Sequence, residues 1–190
     1  MTGKLYRPVI TLGNQVTVLL AHTRHRTRGT EQNSLNNHPI HAGQVIGTHN
    51  GHISNADRLV KELHLLRTAE VDSEVLFRLV DRSQSDDEFR KLLARCRGSI
   101  SAAYVRLDEP ARLRLLKGDM PLCAAHVPSL HAVVYASEEW MIDNALDGRE
   151  YEMLELDPFT LSTFDCGDLL GFTQQDVCFH SPDPMGPLTR

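Results

Sequence analysis

No stretch of this chain approaches 18 consecutive apolar residues, the length a membrane-spanning helix needs. The N-terminus carries no signal-peptide pattern, so a cytoplasmic protein that makes no membrane contact is expected. There is no C-x-x-C spacing among Cys96, Cys123, Cys166 and Cys178. Without a leader, these four are read as reduced thiols acting as small buried hydrophobes. There is no basic run and the net charge is −5, which argues against nucleic acid as a partner. Internal repeats are absent, and nothing marks a second domain. At 190 residues the chain is long enough for one domain with a proper core.

The patterns that are present alternate between strand and helix signals. Residues 4–21 read as a hairpin around Gly13-Asn14, with Val16, Val18 and Leu20 making its second strand largely buried. Gln44 to Thr48 reads as a short strand, and His49-Asn50-Gly51 as a sharp turn out of it. Three helices follow. Ser54 and Asp57 open the first as a variant capping box, Asp72-Ser73 cap the second, and Ser85 with Glu88 form a capping box for the third. After Arg97-Gly98 the period changes to four short strands, at 100–107, 111–116, 122–127 and 130–136. A short helix is expected over 137–146. A last hairpin is expected from Tyr151–Leu156 and Phe159–Phe164 around Asp157-Pro158. From Cys166 the chain reads as a tail, giving a domain over 1–165 and a tail over 166–190. Helices in the middle with strands on both sides imply an α+β layered fold.

The stretch Ala21 to His52 has no hydrophobic period in its first half, yet it holds six of the ten histidines. These fall as three H-x-x-H pairs, 22/25, 38/41 and 49/52. That spacing converges on a metal only along a helix, and these segments read as strand ends and loops, so no metal site is expected. In order along the stretch come R-x-x-T-x-G at Arg24 to Gly29, N-H-P at Asn37 to Pro39, and H-N-G at His49 to Gly51. This series resembles the glutamine-binding segment of class II, Ntn-type glutamine amidotransferase domains. The likeness continues through VDSEV around Asp72, Arg97-Gly98, Lys117-Gly118 with Pro121-Leu122, and ASEE at 136–139. It implies stacked antiparallel sheets covered by helices, the αββα Ntn-hydrolase arrangement, with no cofactor.

The resemblance also implies the site. Arg24 and Thr27 take the glutamine backbone, a planar arginine fork being suited to a carboxylate. Asp72 takes the α-ammonium, and His49 stands in the same substrate-binding set. Asn50 and Gly51 form the oxyanion hole, since an amide side chain beside a glycine N–H supplies two preorganised donors. Asn37-His38-Pro39 and Asn55 fall at positions that shape the pocket.

The departures from the family are as informative. Its nucleophile is an N-terminal cysteine whose own α-amine is the base, and this chain begins Met1-Thr2-Gly3. Only 21 residues precede His22, so the family's first strand and following helices are expected to be lacking. Three outcomes stay open. The nucleophile is supplied by another chain, and the protein hydrolyses glutamine to give ammonia to an acceptor. Alternatively the domain is inactive, serving as an amino-acid-binding or protein-interaction module. In the third, Thr2 itself is the nucleophile after trimming of Met1. A protein partner or homo-oligomer is expected to cover the sheet edges that a missing strand exposes.

Overall fold

The computed structural model describes residues 16–23, 29, 30, 32–166 and 168–177. Residues 1–15, and with them Thr2 and most of the expected first hairpin, lie outside the described residues. The described residues form nine strands and four α-helices. A six-stranded antiparallel sheet runs β1 (Ile40–Ala42), β2 (Val45–Ile53), β3 (Gly98–Arg106), β4 (Glu109–Lys117), β8 (Thr160–Asp165) and β9 (Asp168–Asp176), and a three-stranded sheet runs β6 (Ala132–Ala136), β5 (Cys123–Val127) and β7 (Glu152–Leu154).

Alternation along the strands sorts side chains between layers, because neighbouring Cβ atoms leave opposite faces. In β3 (Gly98–Arg106), Ile100, Ala102 and Tyr104 face the helices, while Ala103 faces the smaller sheet. In β4 (Glu109–Lys117), Leu116 takes the helix side, and Leu113 and Leu115 the space between the sheets. β8 (Thr160–Asp165) repeats the rule with Leu161 and Phe164. The smaller sheet is built from β5 (Cys123–Val127), β6 (Ala132–Ala136) and β7 (Glu152–Leu154). It turns Ala124, Val133, Tyr135 and Leu154 inward, and Ala125, Val127 and Val134 outward onto α4 (Glu139–Leu146). The layers are therefore three helices, the large sheet, the small sheet and α4, which is the expected αββα arrangement.

The helix layer is pressed close. α2 (Ser73–Arg82) lays Phe77, fully buried, over β2 (Val45–Ile53) at Gly47, where an added Cβ would stand 2.3 Å from the Phe77 ring. α3 (Asp86–Leu93) starts as its capping box predicts. The Glu88 N–H donates to Ser85 Oγ at 3.2 Å, and the Glu88 carboxylate reaches back to the Gln84 N–H at 2.8 Å.

Several expectations need correction. Residues 16–21 enter no strand ladder, and Val16 and Leu19 are about half exposed. Val18 and Leu20 nonetheless pack between the sheets. β2 does not stop at Thr48; it runs to Ile53, paired with β3 throughout. α1 (Ala56–Leu63) follows Asn55, not Ser54, and makes no side-chain cap. The Ser54 hydroxyl donates instead to the Arg97 carbonyl. β7 and β8 are not a hairpin, since β7 pairs with β5 and β8 with β4. The expected tail begins with a strand, β9 (Asp168–Asp176), which completes the large sheet against β8. Among the described residues, no helix is long and apolar enough to cross a membrane.

Candidate active site

The end of β2, the start of α2 and the edge of the small sheet enclose a cavity of about 670 Å³. Its wall includes His49, Asn50 and Gly51 from β2, Asp72 and Ser73 at the head of α2, and Tyr135 from β6. Three of the six residues expected at the site from sequence, Asn50, Gly51 and Asp72, thus meet at one opening, with a fourth, His49, behind them. The remaining two, Arg24 and Thr27, lie outside the described residues. His22 and Thr23 do line the cavity.

Asn50-Gly51 is not a turn. Both residues sit in the ladder, Asn50 opposite Ser101 and Gly51 opposite Ile100. Gly51 has φ +133°, and a Cβ there would lie 2.0 Å from the Ser99 carbonyl oxygen. Only glycine holds this position, because the left-handed backbone and the facing chain both exclude a side chain. The pair opens on the cavity through a distorted strand.

Asp72 is 3% exposed and does not cap α2. Its Oδ2 accepts the Ile53 N–H at 2.6 Å and lies 3.3 Å from His52 Nδ1. Next to it, Ser73 Oγ lies 3.0 Å from His49 Nδ1. His49 is 4% exposed. Burial pushes its pKa below the ordinary value of 6.5, and the nearby Asp72 carboxylate only partly opposes this. Its ring is buried in the cavity wall, with Nδ1 toward Ser73.

The far rim is tied down by Ser101 and Asp119, which sequence reasoning missed, and by Lys117-Gly118, which the motif series includes. Ser101 Oγ accepts the Gly118 N–H at 3.0 Å and donates to the Met120 carbonyl at 2.6 Å. Asp119 takes the Ile100 N–H at 2.8 Å, and Lys117 reaches the Leu122 carbonyl. These bonds fix the loop that brings Pro121 and Leu122 to the cavity. Of the N-H-P segment, His38 lines the cavity and packs against His22 in a tilted arrangement, with ring centroids 4.4 Å apart. Neighbouring Asn36, fully buried, joins Thr30 to Glu70. Asn55 is away from the cavity, bridging Arg95 and Arg97. Among the described residues, no three His, Cys, Asp or Glu side chains converge as a metal-ligand set.

The family model described as a glutamine amidotransferase domain matches residues 22–144. The chain belongs to the class II glutamine amidotransferase family. Glutamine–fructose-6-phosphate aminotransferase (isomerizing) of Thermococcus kodakarensis is 30% identical over 172 residues, covering 80% of this chain and 27% of that protein. The enzyme of the same name from Pyrococcus horikoshii is 31% identical over 169 residues, covering 78% and 27%. Among solved structures, glutamine phosphoribosylpyrophosphate amidotransferase from B. subtilis, complexed with ADP and GMP, superposes with a TM-score of 0.62. Its identity is 21%, over 82% of this chain and 34% of that one. The amidotransferase domain described here therefore spans about a quarter of the length of the curated relatives it matches.

Proposed function

We propose that the cavity binds glutamine and that, once a nucleophile is brought to it by a partner chain, the amide is hydrolysed to glutamate and ammonia. The observation that carries this reading is the convergence of the Asp72 carboxylate and the Asn50-Gly51 pair on one cavity. A free amino acid presents an ammonium at one end and an amide at the other. Asp72 suits the first; the Asn50 amide and the Gly51 N–H suit the oxygen that becomes negative as the amide carbon is attacked. Arg24 and Thr27, directly after the cavity-lining His22-Thr23, are proposed to take the α-carboxylate. Attack breaks the C–N bond, ammonia leaves, and water releases the acyl group as glutamate. The relatives named above use glutamine by name, which supports the substrate.

A binding-only domain is the second reading. It is favoured by one observation: no cysteine stands among the described residues lining the cavity. Cys123 lies nearby on β5, but its Sγ points to the Ala136 carbonyl, and burial raises its pKa, so it is held as a thiol. The two readings separate at Asn50. In the native complex that releases ammonia from glutamine, Asn50→Ala is expected to lower kcat by about 10²–10³ with little change in KM. Unchanged turnover in that variant contradicts the hydrolytic reading.

A further inference from the structure

Within the cavity wall, β2 is fastened to the head of α2 at two points on either side of the Asn50-Gly51 step. On one side His49 Nδ1 meets Ser73 Oγ at 3.0 Å. On the other the Ile53 N–H donates to Asp72 Oδ2 at 2.6 Å. Asp72 and Ser73 are consecutive residues, so one helix start carries both fastenings. On its far side the His49 ring lies beside the Ser99 carbonyl, and Nε2 makes no hydrogen bond among the described residues. The ring also abuts Gly51, whose added Cβ would lie 3.1 Å from Nε2. The imidazole is therefore wedged between the helix start, β3 and the backbone of Gly51.

We infer that His49 is a positioning residue. Its neutral ring accepts the Ser73 hydroxyl proton at Nδ1, keeps its own proton on Nε2 toward the Ser99 carbonyl, and so fixes Asn50-Gly51 against the Asp72 carboxylate. This rests on the cavity being the glutamine site. Neither His49 nor Ser73 touches the reacting atoms in this arrangement. They set the spacing between the group that takes the ammonium and the groups that take the oxyanion, and small errors in such spacing are costly.

The titratable groups facing the ring are Asp72 at the head of α2, His22 from the segment before β1, and His52 on β2 itself. Burial outweighs the pull of Asp72, and the two histidines push the same way as burial. The neutral form is thus the folded form at neutral pH. Once protonated, Nδ1 no longer accepts from Ser73. Positioning is complete above the ordinary value of 6.5 and is lost as pH falls through the lower folded value.

Two measurements on the full chain test this. In long-range ¹H–¹⁵N spectra of histidine-labelled protein, assigned by difference from His49→Gln, His49 is expected as the neutral Nε2–H tautomer at pH 7. Ser73→Ala is expected to speed Gly51 amide exchange at least tenfold and to weaken glutamine binding roughly tenfold at pH 7.5, while Ser73→Thr restores both. An Nδ1–H tautomer or a protonated ring at pH 7 overturns the inference, as does Gly51 exchange indifferent to Ser73→Ala. Neither the tautomer nor the Gly51 exchange needs a ligand. A wild-type chain that passes both and binds no glutamine refutes the substrate assignment instead.

Discussion

Gly51→Ala is expected to lower the melting temperature of the domain by roughly 5–20 °C, if the variant folds at all. Two effects add. At φ +133° an alanine occupies a region essentially reserved for glycine, and its Cβ would sit 2.0 Å from the Ser99 oxygen and 2.6 Å from the Ser99 carbon. The obstruction is backbone in a paired strand, so no rotamer change relieves it. Strain and overpacking together cost on the order of 2–5 kcal/mol, and a domain of this size loses about 2–4 °C per kcal/mol. A thermal melt checks it. A variant melting within a degree or two of the parent contradicts the described path of β2.

Glu74→Ala is the second large effect, expected to cost about 3–5 kcal/mol. The carboxylate is fully buried at the head of α2 and takes donors from the Thr68 and Ala69 N–H groups, the Thr68 hydroxyl and the Arg78 guanidinium. Burial alone would raise its pKa, but those donors outweigh it and hold the pKa below the ordinary 4.5. Removing the carboxylate leaves Arg78, 12% exposed, without its partner and frees the loop leading into Asp72. The depressed pKa gives the sign with pH. Stability from Glu74 is complete above 4.5 and is lost as pH falls through the lower folded value. Denaturant titrations from pH 7 to pH 3 should show a steeper acid loss in the parent than in Glu74→Ala, and parallel curves would contradict this.

The contrast between Ser85 and Asp72 shows which local signals survive folding. The capping box at Ser85 and Glu88 forms because both halves lie within four residues. Asp72 heads its helix but spends its carboxylate on Ile53, 19 residues away, and on His52. No local signal announces such a contact. Asn50-Gly51 has the composition of a turn, yet β3 pairs it into a ladder from the other side of three helices. Asp157-Pro158 does change the chain's direction, as its composition implies, but the strands it joins enter different sheets. Alternation within a strand says that two faces exist, not which neighbour covers them. β9 was hidden because the proline-rich end coloured the whole segment after Cys166.

At the site, Asn50, Gly51 and Asp72 were legible because the ordered motifs carry them and they do meet at one cavity. Ser73 and Ser101 were not, since a lone hydroxyl has no pattern and their partners lie 24 and 17 residues away or more. His49 was legible as a member of the motif, but its burial against Ser73 was not.

Calorimetric titration of glutamine into the intact chain, beside the Asp72→Asn variant, tests the central claim most directly. The variant keeps the size of the side chain and an acceptor for the Ile53 N–H while removing the charge that would meet the ammonium. A saturating exchange of heat in the parent, weakened roughly thirtyfold or more in Asp72→Asn, is the predicted result. No heat at millimolar glutamine, or equal affinity in parent and variant, would contradict the assignment of this cavity as a glutamine site.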